Sequence, residues 1–179
     1  QKNDLLVIYA DLPLISPSSL KSLLALHRRE ANSLTFMSSV VEDPSGLGRV
    51  IRSAEGGVRI VEEKEATAAE RKIKEVNAGT YIFKIHDLLQ ALPGVSNLNK
   101  RGEFYLTDIV DILAGLKKKV GVFPLDPSEF ISVNTRRDLA RAIYRLRQRK
   151  IRELAEGGIT VLDEQSTWID LDVRIGKDT

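Results

Sequence analysis

The chain has 179 residues, 42% of them hydrophobic, and a formal charge of +2 from 27 basic and 25 acidic side chains. That length and apolar content support one domain, or one and a fraction, around a sizeable core, and the near-neutral balance excludes a global basic field for nucleic acid or an anionic membrane. The absence of cysteine excludes a disulfide scaffold and thiolate metal sites. No apolar run approaches the roughly 20 residues of a membrane span, so the expectation is a cytoplasmic protein that binds a small ligand. Gln1 at the start, with Met37 as the single methionine, leads to the further expectation that these residues are a piece of a longer protein.

In chain order, "LLVIYADLPLI" (residues 5–15) is an apolar run without alternation, which predicts a strand buried on both faces, as in a parallel sheet. It ends at Asp11, and Pro13 followed by "SPSSLKSLLALHRRE" predicts a short turn and a helix capped by serine. "SLTFMSSVVE" reads as a second strand. After the loop "DPSGLGR", the stretch "VIRSAEGGVRIVEEKE" predicts two short strands around a Gly-Gly hairpin. Residues 66–74, "ATAAERKIK", are good helix formers, and strand character returns at Gly79–Ile85. "HDLLQALPG" is a short helix stopped by Pro93 and Gly94. "GEFYLTDIVDILAGLKKK" predicts a helix capped by Thr107 or Asp108, with Ile109, Ile112, Leu113 and Leu116 on one face. "VGVFPL" is a strand, and "FISVN" begins as one before Thr135 caps the longest helix, about 20 residues, closed by Gly157 and Gly158. In "TWIDLDVRIGKDT" Ile169 and Ile175 are six residues apart, a spacing shared by β-helix repeats and by an ordinary edge strand.

Several strand ends carry residues suited to a ligand. Asp11 is either a turn aspartate that caps the next helix or a carboxylate facing a site beyond the strand's carboxyl end. Gly46 and Gly48 either make a turn or let backbone approach a ligand. Glu62 and Lys64 form either a solvated pair or contacts to a sugar hydroxyl and a phosphate. Asn77 either holds sugar hydroxyls through its amide or tolerates a left-handed turn, and Asn134 is either a metal ligand or a turn residue before Thr135. His27 and His86 read as surface or helix-end residues, and Trp168 as packing.

Taken in order, "YADLPLI", "GLGRVIR", "IVEEKEAT", "EVNAGTYIF", "GEFYLTDIV" and "SVNTRRDLA" resemble the bacterial bifunctional N-acetylglucosamine-1-phosphate uridyltransferase/glucosamine-1-phosphate acetyltransferase family over nearly the whole chain. The resemblance implies a doubly wound α/β nucleotidyltransferase domain with a Rossmann-like sheet over residues 1–136. It further implies a linker helix over 137–157 and the start of a left-handed β-helix over 158–179. It implies that Tyr9, Ala10 and Asp11 touch the nucleotide, that Gly48, Glu62 and Asn77 bind the sugar phosphate, and that Asp11 and Asn134 hold Mg2+. The implied reaction joins UTP and N-acetylglucosamine 1-phosphate, with pyrophosphate leaving. Acetyl-CoA would belong to the acetyltransferase part of the parent, which would be a homotrimer.

Three positions depart from the family pattern: Ala10 replaces glycine, Leu47 tyrosine and Ala78 threonine. The family's "LAAGxGTRM" loop and its lysine do not occur in these residues, so this piece alone is expected to be inactive and prone to self-association. Competing readings are a related nucleotidyltransferase for another sugar phosphate or nucleotide, and a non-catalytic binding or regulatory module that has lost the chemistry. A third takes "RRDLARAIYRLRQRK" as a nucleic-acid helix, against a solvated connector whose Asp138, Glu153 and Glu156 balance the arginines.

Overall fold

The computed structural model describes residues 3–54 and 56–179, which form two compact units. The larger runs up to Ala10 and then over Ile15–Phe130; the smaller joins Asp11–Leu14 to Ile131–Thr179.

The larger unit is built on β5 (Glu75–Lys84), a strand of 10 residues with Val76, Ala78 and Thr80 to Phe83 all buried. Successive residues face opposite sides of a sheet, so burial of both sets marks a central strand. One edge of β5 pairs antiparallel with β2 (Leu34–Val40). Its other edge is shared: residues 80–84 pair antiparallel with β1 (Asp4–Ile8), and Val76 with Arg49 of β3 (Arg49–Arg52). β4 (Val58–Val61) pairs antiparallel with β3, and β6 (Val120–Pro124) pairs parallel with β2. The resulting sheet is mixed. Helix α1 (Pro17–Arg29) is capped by Ser16, whose hydroxyl accepts from Ser19 N at 3.1 Å. Helices α2 (Ile85–Ala91) and α3 (Asp108–Gly115) contribute Leu88, Ala91, Ile109, Val110 and Leu113 to a core shared with Leu34, Phe36, Tyr81 and Phe83. Each buried Leu, Ile, Val or Phe side chain here contributes about 1.5–3 kcal/mol on full burial.

Four expectations are corrected here. β1 is not buried on both faces: Leu5, Leu6 and Ile8 are 39–45% exposed, and it pairs antiparallel with β5. An unalternating apolar run reports composition, not how many neighbours a strand has. Residues 66–74 form only a 3₁₀ turn at Glu70–Lys72: Thr67 and Glu70 make the reciprocal contacts of a helix start, but Ile73 already returns to extended backbone ahead of β5. Thr107 stands at the N-cap position of α3 without a side-chain cap bond. His27 does lie in the last turn of α1, but it is 1% exposed rather than superficial. Its Nδ1 lies 2.9 Å from Thr35 Oγ1 and its Nε2 3.7 Å from Asp4, and burial lowers its pKa against the pull of Asp4.

The smaller unit centres on α4 (Arg136–Glu156), 21 residues long, which matches the expected helix. Thr135 and Asp138 form a capping box, each side chain accepting from the other's backbone N–H. The helix is less solvated than expected of a connector, since Arg147 and Lys150 are both buried. Arg147 donates to Gln165 O at 2.7 Å and stacks on Trp168 and Tyr144, with ring centroids at 4.6 and 5.2 Å. Arg149 donates to Leu14 O at 2.9 Å. The nucleic-acid reading therefore loses three of its cations to internal contacts. Residues 130–134 form no strand, and residues 159–179 carry turns and bends.

Candidate functional site

Four of the sequence-selected residues come together in the larger unit. The β3–β5 pairing continues past Arg49, so that Asn77 N donates to Gly48 O at 2.9 Å. Glu62 follows β4 directly, and a Cβ placed on Gly48 would lie 3.5 Å from both of its carboxylate oxygens and 3.1 Å from Ile60 Cγ2. Glycine at position 48 thus answers a need for space, whereas Gly46, at φ +79°, answers a need for a left-handed turn. Asn77 is anchored at both ends of its amide: Nδ2 donates to the Tyr81 hydroxyl at 2.5 Å, and Oδ1 accepts from Gly79 N at 3.2 Å. Tyr81 is fully buried. Burial first, then the neighbouring Tyr9, pushes its phenol well above the usual range, so it stays neutral and remains a fixed partner. The Tyr9 ring is 5.8 Å from that of Tyr81, and Tyr9 N donates to Gly79 O at 3.0 Å. Ala10 is exposed. Lys64 is exposed, and its carbonyl accepts from Lys100 Nζ.

Thr107 and Tyr81 were not singled out as site residues from sequence, yet both support this cluster. The Thr107 hydroxyl donates to Glu62 Oε1 at 2.8 Å, which is why it does not cap α3. Chain separation of 45 residues hides that contact. The only local hint was the position of Thr107 between an aromatic stretch and a helix start.

Asp11 and Asn134, also selected from sequence, meet in the smaller unit. Ser132 Oγ donates to Asp11 Oδ2 at 2.7 Å, Asn134 Nδ2 donates to Ser132 Oγ at 2.9 Å, and Val133 N donates to Asp11 O at 2.9 Å. Ser132 is therefore the link between Asp11 and Asn134, a role no sequence pattern marked. The reading of Asp11 as the cap of α1 falls, because Ser16 fills that place. Among the described residues no three His, Cys, Asp or Glu gather for a metal. The donor set that is present, one carboxylate and one amide oxygen, suits Mg2+, which binds through one or two protein oxygens and otherwise keeps water and substrate phosphates. Asp11 Oδ1 and Asn134 Oδ1 are the atoms with capacity for it, since the other atom of each head group is engaged with Ser132.

A nucleotidyl transferase family model matches residues 1–170. The bifunctional protein GlmU of Acetivibrio thermocellus is 45% identical over 175 residues, 97% of this chain and 38% of that protein. Its counterpart in Clostridium perfringens is 43% identical over 173 residues, with the same coverage of both. The chain thus spans about two-fifths of the length of the curated relatives it matches. Two crystal structures share the fold. One is assigned as a glucose-1-phosphate thymidylyltransferase from Bacillus anthracis (TM-score 0.60, 17% identity, 91% of this chain and 58% of that one). The other is an apo UDP-glucose pyrophosphorylase (TM-score 0.51, 21% identity, 69% of this chain and 47% of that one).

Proposed function

The chain belongs to the nucleotidyl transferase family, and from that premise we propose that it is part of a bifunctional enzyme that makes UDP-N-acetylglucosamine from UTP and N-acetylglucosamine 1-phosphate. The observation that carries this reading is the meeting of Gly48, Glu62 and Asn77, three residues from three strands or strand ends, with buried hydroxyls fixing the Glu62 and Asn77 side chains. A carboxylate, an amide and unencumbered backbone are a donor and acceptor set for sugar hydroxyls and an acetamido group.

In the reaction a phosphate oxygen of the sugar 1-phosphate attacks the α-phosphorus of UTP in line, a new P–O bond forms, and the bond to pyrophosphate breaks. No covalent enzyme chemistry is required, so the residues act by positioning. Glu62 and Asn77 orient the sugar, and Tyr9 and Ala10 contact the nucleotide. Asp11 and Asn134 would hold Mg2+, which supplies neutralisation of charge on the phosphates. The same reading assigns residues 1–136 to the nucleotidyltransferase domain, 137–157 to a linker helix and 158–179 to the beginning of a β-helix. Acetyl-CoA-dependent acetylation and trimer formation fall to the rest of the protein, in the cytoplasm. No helix among the described residues is long and apolar enough to cross a membrane.

The test is pyrophosphate release by the full-length gene product with Mg2+. Turnover with UTP and N-acetylglucosamine 1-phosphate should exceed that with thymidine triphosphate or glucose 1-phosphate, and the 179-residue chain alone should be inactive. Equal or better turnover with the other substrates would refute the assignment.

A further inference from the structure

Arg49 has no part in the chemistry above, yet it is the largest fully buried side chain among the described residues, at 1% exposure. Burying a guanidinium is tolerated only when its donors find acceptors. Here they reach three separate segments. Nη1 donates to Leu47 O, Nη2 to Glu63 Oε2 at 2.6 Å, and Nε and Nη2 to Arg71 O at 3.3 Å. Glu63 Oε2 also accepts from Gly46 N at 3.0 Å. Arg49 and, after it, the Gly46 amide hold the Glu63 carboxyl below its ordinary range, which favours the carboxylate.

The place of this contact in the hairpin gives it meaning. The β3–β4 ladder ends at the pair Arg49 and Val61. Counted one step further, Gly48 falls opposite Glu62, and one step beyond that Leu47 falls opposite Glu63. The β3–β4 ladder therefore stops where Gly48 and Glu62 begin, and while Asn77 N holds Gly48 O from the β5 side, the contacts of Arg49 and Glu63 join the Gly48 and Glu62 segments to each other from there on. Neighbouring residues of an extended chain point to opposite sides, so Arg49 lies on one side of the hairpin and Gly48 on the other, where Ile60 and Glu62 sit beside it.

Resting on the function proposed above, we propose that Arg49 and Glu63 form a clamp that sets the spacing of Gly48 and Glu62, making both positioning residues for the sugar phosphate and not for the nucleotide. A loop with Gly46 and Gly48 is free to sample many conformations when nothing fixes it. The clamp removes that freedom before substrate arrives. Lysine cannot replace Arg49, because a single ammonium cannot reach acceptors on three segments in a fixed fork.

The experiment uses the full-length gene product with Glu63→Gln, which keeps size and shape at a partly exposed site, and Arg49→Lys as a second variant. Two quantities are read: backbone amide exchange of residues 45–48 without substrate, and the KM for each substrate. Glu63→Gln should speed exchange in that loop and raise the KM for N-acetylglucosamine 1-phosphate about tenfold, the cost of a mispositioned hydrogen bond to a charged group. The KM for UTP should stay within about twofold, since removal of a purely structural contact would shift both together. Unchanged exchange at 45–48, or equal movement of the two KM values, overturns the clamp. A wild-type enzyme that does not saturate with the sugar phosphate sinks the functional reading instead, and the exchange measurement then decides the clamp by itself.

Discussion

The two groups of candidate residues are held in opposite ways. In the larger unit, Asn77 and Glu62 are held by the buried hydroxyls of Tyr81 and Thr107, and Asn77 N in turn holds Gly48 O. In the smaller unit, Asp11 and Asn134 share one serine hydroxyl, and Asn134 is exposed. On the proposed function, the difference matches what each group would hold. A sugar is recognised by the directions of its hydroxyls, so the protein must supply rigid donors and acceptors. A hydrated Mg2+ brings its own octahedron of water and phosphate oxygens, so two loosely linked oxygens suffice.

Asp11→Asn tests the sparser group and should have the largest effect. Loss of charge at one of only two protein ligands should reduce uridyl transfer on the order of a thousandfold, equivalent to several kcal/mol of charge stabilisation, with the melting temperature of the full-length protein unchanged. Turnover near the wild-type rate at ordinary Mg2+ concentration would show that the metal is held elsewhere. Glu62→Ala and Asn77→Ala test the denser group. Each removes a hydrogen bond to substrate and should weaken sugar phosphate binding about 10- to 100-fold, while UTP binding measured by calorimetry stays the same. Thr107→Val is a finer probe, since it removes only the hydroxyl that orients Glu62. A rise of about fivefold in the sugar phosphate KM, or ~1 kcal/mol, is expected, with Thr107→Ser restoring the wild-type value. A KM unmoved in Thr107→Val would mean that Glu62 needs no support.

The smallest effect concerns the scaffold of the larger unit. His27 has its pKa lowered by burial, with Lys84 and Arg28 adding to that and Asp4 opposing it. The unfolded chain, with a histidine near the ordinary value of about 6.5, then binds more protons than the folded one. Stability is full above that value and declines as the pH falls through it toward the lower folded value. His27→Gln should flatten this decline when melting temperatures are compared at about pH 7.5 and pH 5.5, and an unaltered slope would place the acid-sensitive group elsewhere.

What sequence could reveal follows from the range of the forces involved. The Thr135 cap and α4 are local, fixed by residues three apart, and were legible together with the β3–β4 hairpin and its Gly56–Gly57 turn. The candidate residues were legible through the order of the motifs that carry them, although Asn77 lies inside β5 and Asn134 follows no strand. Their supports were not. Arg49 reads as one more arginine in a charged chain until Leu47, Glu63 and Arg71 are seen around it. Ser132 reads as a polar strand residue until Asp11, 121 positions away, accepts from it. β1 misled for the same reason, because its composition says it is apolar and only its neighbours say that it is partly exposed.

The place of β5 also bears on how the chain acquires its structure in time. β1, β2 and β3 each pair with β5, and β1 joins it through partners such as Asp4 and Lys84, 80 positions apart. During synthesis the earlier strands wait, without that template, until the chain has been made through Lys84. Nonlocal pairing of this kind slows folding by orders of magnitude relative to helical bundles of similar size. The interval leaves Leu5, Leu6, Val7 and Ile8 open to other nascent segments, so a slow ribosome or scarce chaperone would lower the yield of this protein before any mutation touched its chemistry.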